Sequence, residues 1–356
     1  MRDIAGLPQK QGLYDPRHEK DACGIGFVAN IKGERSHSIV KQALSVLECL
    51  SHRGAQGCDP YTGDGAGILL QLPHRFLSEV VKSECDITLP PAGGYAVGMV
   101  FLPREKSQRE QLERVFETIL HDEKAKLLGW RTVPVRSDAI GPQARSTEPV
   151  VRQLFVTCPK PKAAKPGRGP ADDELAFERK LYVIRKRVEH VVRESALAGR
   201  EHFCVPSFSS RTIVYKGLLL PTQVGRYYAD LADPRVESAL GLVHSRFSTN
   251  TFPTWSLAHP YRYICHNGEI NTVKGNVNWM RARQGRLQSD LFGPDLAKLF
   301  PIVADNQSDS ACLDNALEFL HMGGRSLPHA MMMLIPEPYV SNPEMDLERR
   351  GFYEYH

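Results

Sequence analysis

Residues 21–27 read Asp21-Ala22-Cys23-Gly24-Ile25-Gly26-Phe27, and this stretch decides how the rest is read. The residues before Cys23 are polar and turn-rich, with Gly6-Leu7-Pro8, Gly12 and Asp15-Pro16, the texture of an arm rather than a core. After it, Gly24 to Ile31 is a short apolar run closed by the turn Lys32-Gly33, the pattern of a buried strand. Cys23 stands at the junction. A cut after Ala22 would make it the amino terminus. A thiol titrates at about 8.5 and an α-amino group at about 7.7–8, so the free amine can take the proton of its own side chain near neutral pH. One residue then supplies nucleophile and base. An attached arm turns that amine into a non-basic amide and blocks the chemistry. The residues alone leave a second reading open, a core cysteine that begins a strand.

Outward from Cys23, Ile39, Ala43, Leu47 and Leu50, with Val40 and Leu44 alongside, have the spacing of an amphipathic helix ending near His52-Arg53-Gly54, where glycine can take a left-handed stop. Strands are expected at Ile68–Leu72, Tyr95–Leu102, Val150–Cys158, Arg211–Tyr215, Ala239–His244 and Tyr261–Cys265. Helices are expected over 106–121, 271–288 and 310–321, and at Leu181, Ile184, Val188 and Val191, whose Arg/Lys/Glu partners read as a solvated face rather than an RNA site. Ala330–Ile335 is a further apolar run. Residues 159–173 are rich in proline, glycine and charge and read as a surface loop or insertion. Many strands with helices grouped between them suggest an α+β layered sheet. No internal break appears after the arm. The end at Glu354-Tyr355-His356 has no stop signature, so truncation inside a domain is expected.

Composition excludes several classes. The 356 residues are 42% apolar and 24% charged, which argues against disorder. Lysine plus arginine is 45 against 41 acidic residues, a formal charge of +4, too mild to indicate a nucleic-acid partner without clustering. No stretch approaches the roughly 18–20 apolar residues of a membrane span. The start lacks the apolar segment of a secretory signal, so the cytoplasm is the expected compartment, with no membrane partner. The eight cysteines include no Cys-x-x-Cys pair and give neither zinc nor iron–sulfur spacing.

Three stretches can carry chemistry beside Cys23. Gly63-Asp64-Gly65-Ala66-Gly67 lacks the Gly-Lys-Ser/Thr ending of a phosphate loop and reads as a tight turn before a strand. Leu242-Val243-His244-Ser245-Arg246 puts an arginine at the end of an apolar run, suited to a bidentate pair with a carboxylate. Tyr263-Ile264-Cys265-His266-Asn267-Gly268 puts a side-chain amide beside a glycine N–H, the donors an oxyanion hole needs. Each also has a plainer reading: Asn-Gly is a common turn, and an arginine at a strand end usually faces solvent.

Taken together and in order, Glu19-Lys-Asp-Ala-Cys-Gly-Ile-Gly-Phe27, His52-Arg-Gly54, Gly63-Asp-Gly-Ala-Gly67, His244-Ser-Arg-Phe-Ser-Thr249, His266-Asn-Gly-Glu-Ile-Asn271 and Asp305-Asn-Gln-Ser-Asp-Ser310 resemble the class II glutamine amidotransferase family, and within it the domain carried by glutamate synthases. The resemblance implies an N-terminal-nucleophile hydrolase fold, a four-layer αββα sandwich. It implies a propeptide at 1–22 and an amidotransferase domain at 23–356, incomplete at its C-terminal end. It makes Cys23 the nucleophile toward L-glutamine and Asn267 with Gly268 the oxyanion donors. Arg246 would pair with the substrate carboxylate, Thr249 would assist, and Asp309 would bind the ammonium; as a helix N-cap, Asp309 also has a plainer reading. His52 and Arg53 would support the pocket. FMN, an iron–sulfur cluster, synthase domains and a small subunit are expected only outside this segment. Other readings are the same domain from another class II enzyme, or an inactive fragment that keeps the fold.

Overall fold

The computed structural model describes residues 10–12, 15, 24–57, 59–159, 170–246, 252–268, 270, 272–305 and 307–356, with side chains from 173 onward in the segment that starts at 170. Among them are eight strands: Ile25–Ala29 (β1), Ala66–Gln71 (β2), Ala96–Leu102 (β3), Lys126–Thr132 (β4), Val150–Thr157 (β5), Cys204–Ser209 (β6), Thr212–Gly217 (β7) and Leu240–Ser245 (β8). The helices are His37–Cys49 (α1), His74–Cys85 (α2), Lys106–Asp122 (α3), Pro142–Ser146 (α4), Pro170–Glu194 (α5), Val224–Tyr227 (α6), Val273–Gln284 (α7), Asp309–Met322 (α8), Leu327–Leu334 (α9) and Leu347–Tyr355 (α10). The strands form two antiparallel four-stranded sheets, ordered β1-β8-β2-β7 and β4-β5-β3-β6. This is the α+β sandwich expected.

The sheets share one core. Ile68 and Leu70 of β2 and Ile213 and Tyr215 of β7 join Val97, Met99 and Phe101 of β3. Alternate residues of β3, Ala96, Val100 and Leu102, face outward onto α3 and α5, as the two-residue period of a strand requires. The hairpin β6–β7 puts consecutive strands in different sheets, and Ser207 Oγ accepts the Val214 N–H across it at 3.1 Å. Helix α1 lies so close to the first sheet that a Cβ on Gly26 would sit 2.3 Å from Val46 Cγ1, and one on Gly241 2.5 Å from Ala43 Cβ. The glycines are there because backbone meets helix.

Several expectations change. Residues 261–265 form no strand: Asp314 takes the N–H groups of Tyr263 and Ile264 at 2.9 and 3.2 Å, and Tyr261 N–H bonds to Ile264 O. With its donors spent, the segment has no ladder to offer. Gly54 is extended (φ −83°), not left-handed; it follows a 3₁₀ turn at Leu50–Arg53, and a Cβ there would meet Ser245 Oγ at 2.8 Å. Helix α5 starts at Pro170, so the loop expected over 159–173 gives way to helix there, and 160–169 lie outside the described residues. Its buried stripe ends on Val192, with Val191 turned outward, because eleven residues come closer than ten to three full turns plus the stripe's own direction.

Half of the cations of α5 leave the solvated face expected for them, while Lys180 and Arg187 are half-buried and Arg193 is exposed. Arg179, Arg185 and Lys186 are buried, because α5 is enclosed on a second side by α8 and the turn at Gly293–Leu299. Arg185 pairs with Glu189 and Glu318, while Lys186 donates to Ile302 O at 2.9 Å. Helices α2, α4, α6 and α10 and strands β4 and β6 had no reading in the sequence. Ala330–Ile335 turns out to be mostly α9.

Candidate active site

The end of β8 is the meeting point. Ser245 N–H donates to Gly24 O at 2.7 Å, Arg246 N–H to Gly65 O at 2.9 Å, and Ala55 N–H to Arg246 O at 3.4 Å. Three other motifs therefore touch the backbone of His244-Ser245-Arg246: the residue before β1, the His52-Arg53-Gly54 turn through the following Ala55, and the Gly63–Gly67 loop. The loop is a close-packed turn. A Cβ on Gly63 would lie 2.4 Å from Leu219 O, and one on Gly67 2.6 Å from His259 O. Arg246 is buried, and its charge bears on Lys216, His244, His259 and Tyr261. His52 is exposed in its turn, Nδ1 3.0 Å from Cys49 O, and Arg53 is half-buried. Cys23 and Thr249 lie outside the described residues.

Asn267 closes the site from the other side. Its side-chain amide, oriented by its partners, accepts from Gly24 N–H at 2.6 Å and reaches His244 Nε2 at 2.6 Å and His266 O at 3.1 Å. A Cβ on Gly24 would stand 2.4 Å from Ser245 O and 2.6 Å from the end of the Asn267 amide that faces it. Glycine at 24 thus lets the amide lie directly against the residue that follows Cys23. Gly268, next along, is exposed.

Behind the amide lies a row of buried rings. His244 stacks on His259 at 4.4 Å, His259 meets the Tyr261 ring at 4.6 Å, and Tyr261 Oη bonds to Ser308 Oγ at 3.0 Å. Burial pushes the His244 imidazole down to about 4, and burial together with neighbouring charge holds His259 well below its ordinary value. Both are neutral at pH 7. Lys216 Nζ sits 4.5 Å over the Tyr261 ring and donates to Ser256 O at 3.0 Å; burial lowers it to about 8. A cavity of about 580 Å³ borders this row, lined in part by Lys216, Ser256, Tyr261, Arg262 and Gln307. A larger one of about 1100 Å³, at Glu123, Lys180 and Asp295, touches none of the motif residues named above.

The segment before Asn267 is clamped to α8. Beyond the two N–H groups held by Asp314, Arg262 pairs with Asp314 at 2.9 Å and with Glu318 at 3.0 Å. Asp309 is the first residue of α8, half-buried, with Oδ1 accepting Ser310 N–H at 2.6 Å. The cap is Ser308, whose Oγ accepts Ala311 N–H at 3.2 Å, so the N-cap reading of Asp309 is corrected by one residue.

Of the predicted residues, Arg246, Asn267 and Gly268 come to one place, beside the backbone that leads into Cys23. Asp309 comes near through Ser308 and Tyr261. His244, His259, Tyr261, Lys216 and Asp314 went unread. His244 lay within a quoted motif; the others carry no local signal, because their company is set by residues far along the chain.

Comparison with known proteins follows the same outline. Residues 23–356 match the family described as "Glutamine amidotransferases class-II". The chain is 50% identical over 351 residues to the glutamate synthase [NADPH] large chain of Bacillus subtilis (strain 168), covering 98% of this chain and 22% of that one. It is 46% identical to the glutamate synthase [NADH] of Saccharomyces cerevisiae, covering 98% of this chain and 16% of that one. Against ferredoxin-dependent glutamate synthase 2 of Synechocystis the identity is 42%, covering 95% and 21%. The chain thus spans 16–22% of the length of these relatives.

Proposed function

This chain belongs to the class II glutamine amidotransferases, and on that premise we propose that it hydrolyses the side-chain amide of L-glutamine through Cys23. Removal of residues 1–22 frees the Cys23 amine. That amine takes the thiol proton, and Sγ attacks the amide carbon. Asn267 and Gly268 hold the oxyanion, Arg246 the substrate carboxylate and Asp309 its ammonium, with Thr249 assisting. The protonated amine then returns its proton to the leaving nitrogen, so ammonia departs and a γ-thioester remains. Water, deprotonated by the same amine, attacks the thioester, and glutamate leaves with the thiol restored. The observation that carries this reading is the Gly24–Asn267 hydrogen bond at 2.6 Å, which brings the amide to the neighbour of Cys23. The family match beginning at residue 23 supports it.

In a complete synthase the ammonia would combine with 2-oxoglutarate and be reduced to a second glutamate, in the cytoplasm and with a small subunit as partner. FMN and an iron–sulfur cluster would supply the electrons from polypeptide outside this chain. Among the described residues no three His, Cys, Asp or Glu side chains are grouped to hold a metal.

Intact mass and ammonia release test the proposal. The expected result is loss of residues 1–22, one adduct of an electrophilic glutamine analogue on Cys23, and glutaminase activity that Cys23→Ala abolishes. A chain that keeps its initial methionine and still turns over glutamine sinks it.

A further inference from the structure

We propose that the cavity of about 580 Å³ beside the ring row is a second ligand site, which takes a short aliphatic monocarboxylate whose oxygens pair with Lys216. It is independent of the glutaminase reading, since none of Arg246, Asn267, Gly268 and Asp309 lines this cavity.

Lys216, in β7, keeps only 2% of its surface exposed. Lysine is almost never buried to this degree without an anion beside it, because an ammonium taken out of water loses hydration that only a counter-charge offsets. Its partners among the described residues are nonetheless neutral: Nζ donates to Ser256 O at 3.0 Å and sits 4.5 Å over the Tyr261 ring. Asp314, the carboxylate whose charge reaches Lys216, is spent elsewhere: it pairs with Arg262 at 2.9 Å and accepts the Tyr263 and Ile264 N–H groups. Burial leaves the amine at about 8, so at pH 7 it is mostly an uncompensated cation. An ammonium carries three donors. One is on Ser256 O, and the ring attracts the charge without offering an oxygen, so donor capacity is left over. Ser256 and Tyr261 line the cavity together with Lys216, and Nζ, which touches both, therefore stands at its wall.

The rest of the wall selects the class of ligand. Arg193, Arg200 and Arg262 are offset by Glu189, Glu201 and Asp305. The surplus is the single charge of Lys216, which matches one carboxylate rather than a phosphate with close to two negative charges. Val192, Phe203, Val205 and Leu257 add apolar wall, which suits a short hydrocarbon chain. The volume lies within the roughly 300–1,000 Å³ of small-molecule pockets, which likewise combine apolar walls with a few polar anchors.

Butyrate and its uncharged isostere butyramide are the probes. In ¹H–¹⁵N spectra of the full chain, butyrate is expected to bind saturably and to shift the amides of Lys216, Leu257 and Tyr261. Butyramide should bind at least about 30-fold more weakly, the scale of removing one partner of a buried charge pair. Lys216→Met, which keeps a straight chain of similar length without the amine, should abolish that preference, with melting temperatures recorded alongside to show that the variant is folded. Should it fail to fold, the two probes on the wild-type chain still decide. The titration is then repeated after an electrophilic glutamine analogue has blocked Cys23, and butyrate binding should be retained. The proposal is overturned if butyrate does not saturate, so that the cavity holds water only, if butyramide binds as well as butyrate, if folded Lys216→Met keeps the preference, or if the block at Cys23 abolishes binding. A chain that takes no adduct and releases no ammonia overturns the glutaminase reading alone, and the titration of the untreated chain then decides this site by itself.

Discussion

At the scale of single residues, burial decides the charge state of the site. His244 and His259 lose hydration on folding and stay neutral, His244 down to about 4. In the unfolded chain each titrates near about 6.5. Above that pH neither state binds the proton, and the two histidines contribute no pH dependence. Below it the unfolded chain takes up protons that the folded one refuses. Stability is therefore present above about 6.5 and falls as pH drops toward 4, by up to about 1.4 kcal/mol per pH unit for each group. Urea midpoints between about pH 7.5 and 4.5 should follow this slope, and His244→Phe should flatten it by one group's share. A slope unchanged in the variant would mean that His244 is not the group responsible. The same burial explains why sequence gave Arg246 and Asn267 but not the ring row: a motif records which residue types recur together, whereas the His259 and Tyr261 stacks depend on where 252–268 crosses the sheet.

At the scale of elements, close approach of backbone governs. Helix α1 was legible because its apolar stripe is local, and its buried residues Ile39, Val40, Ala43 and Leu47 are among those the spacing singled out. What the spacing could not tell is which glycines the helix rests on. Gly241→Ala would drive a Cβ to within 2.5 Å of Ala43 Cβ, an atom with no rotamer to yield. It should cost about 1–3 kcal/mol, as overpacking does. Gly275, in α7, has open space around it, so Gly275→Ala should instead stabilise by about 0.5–1 kcal/mol. Denaturant melts of the two variants, moving in opposite directions, check both. Residues 261–265 and α5 were misread for the same kind of reason. Apolar alternation suggested a strand at 261–265, and charge suggested solvent on α5; but Asp314 captures the backbone of the first, and Glu189, Glu318 and Ile302 O satisfy the cations of the second.

At the scale of the whole molecule, one buried cation ties the layers together. Arg131 of β4 donates to both oxygens of Asp230 at 2.8 and 2.9 Å, to Gln153 of β5 at 2.9 Å and to Glu84 of α2 at 2.8 Å. Tyr215 of β7, in the other sheet, donates to the same Asp230 at 3.2 Å. Removing the cation strands a buried carboxylate, so Arg131→Met should cost about 3–5 kcal/mol. The double variant Arg131→Met/Asp230→Leu should recover part of this, since neither charge is then left alone. Equilibrium unfolding measures both, and a double variant no better than the single would show that the pair is not what is lost. The sequence by itself determined the α+β class, most of the local elements and the ordered set of motifs that mark the family, because those depend on short-range periodicity and on residue types that the chemistry requires. Only the tertiary structure decided that Gly24, Ser245 and Asn267 meet, that His244 is buried against the amide, and that Arg179, Arg185 and Lys186 of α5 point inward. Those facts are pairings between residues far apart in the chain, and which partner fills a given space is settled only when the sheets and helices close on one another.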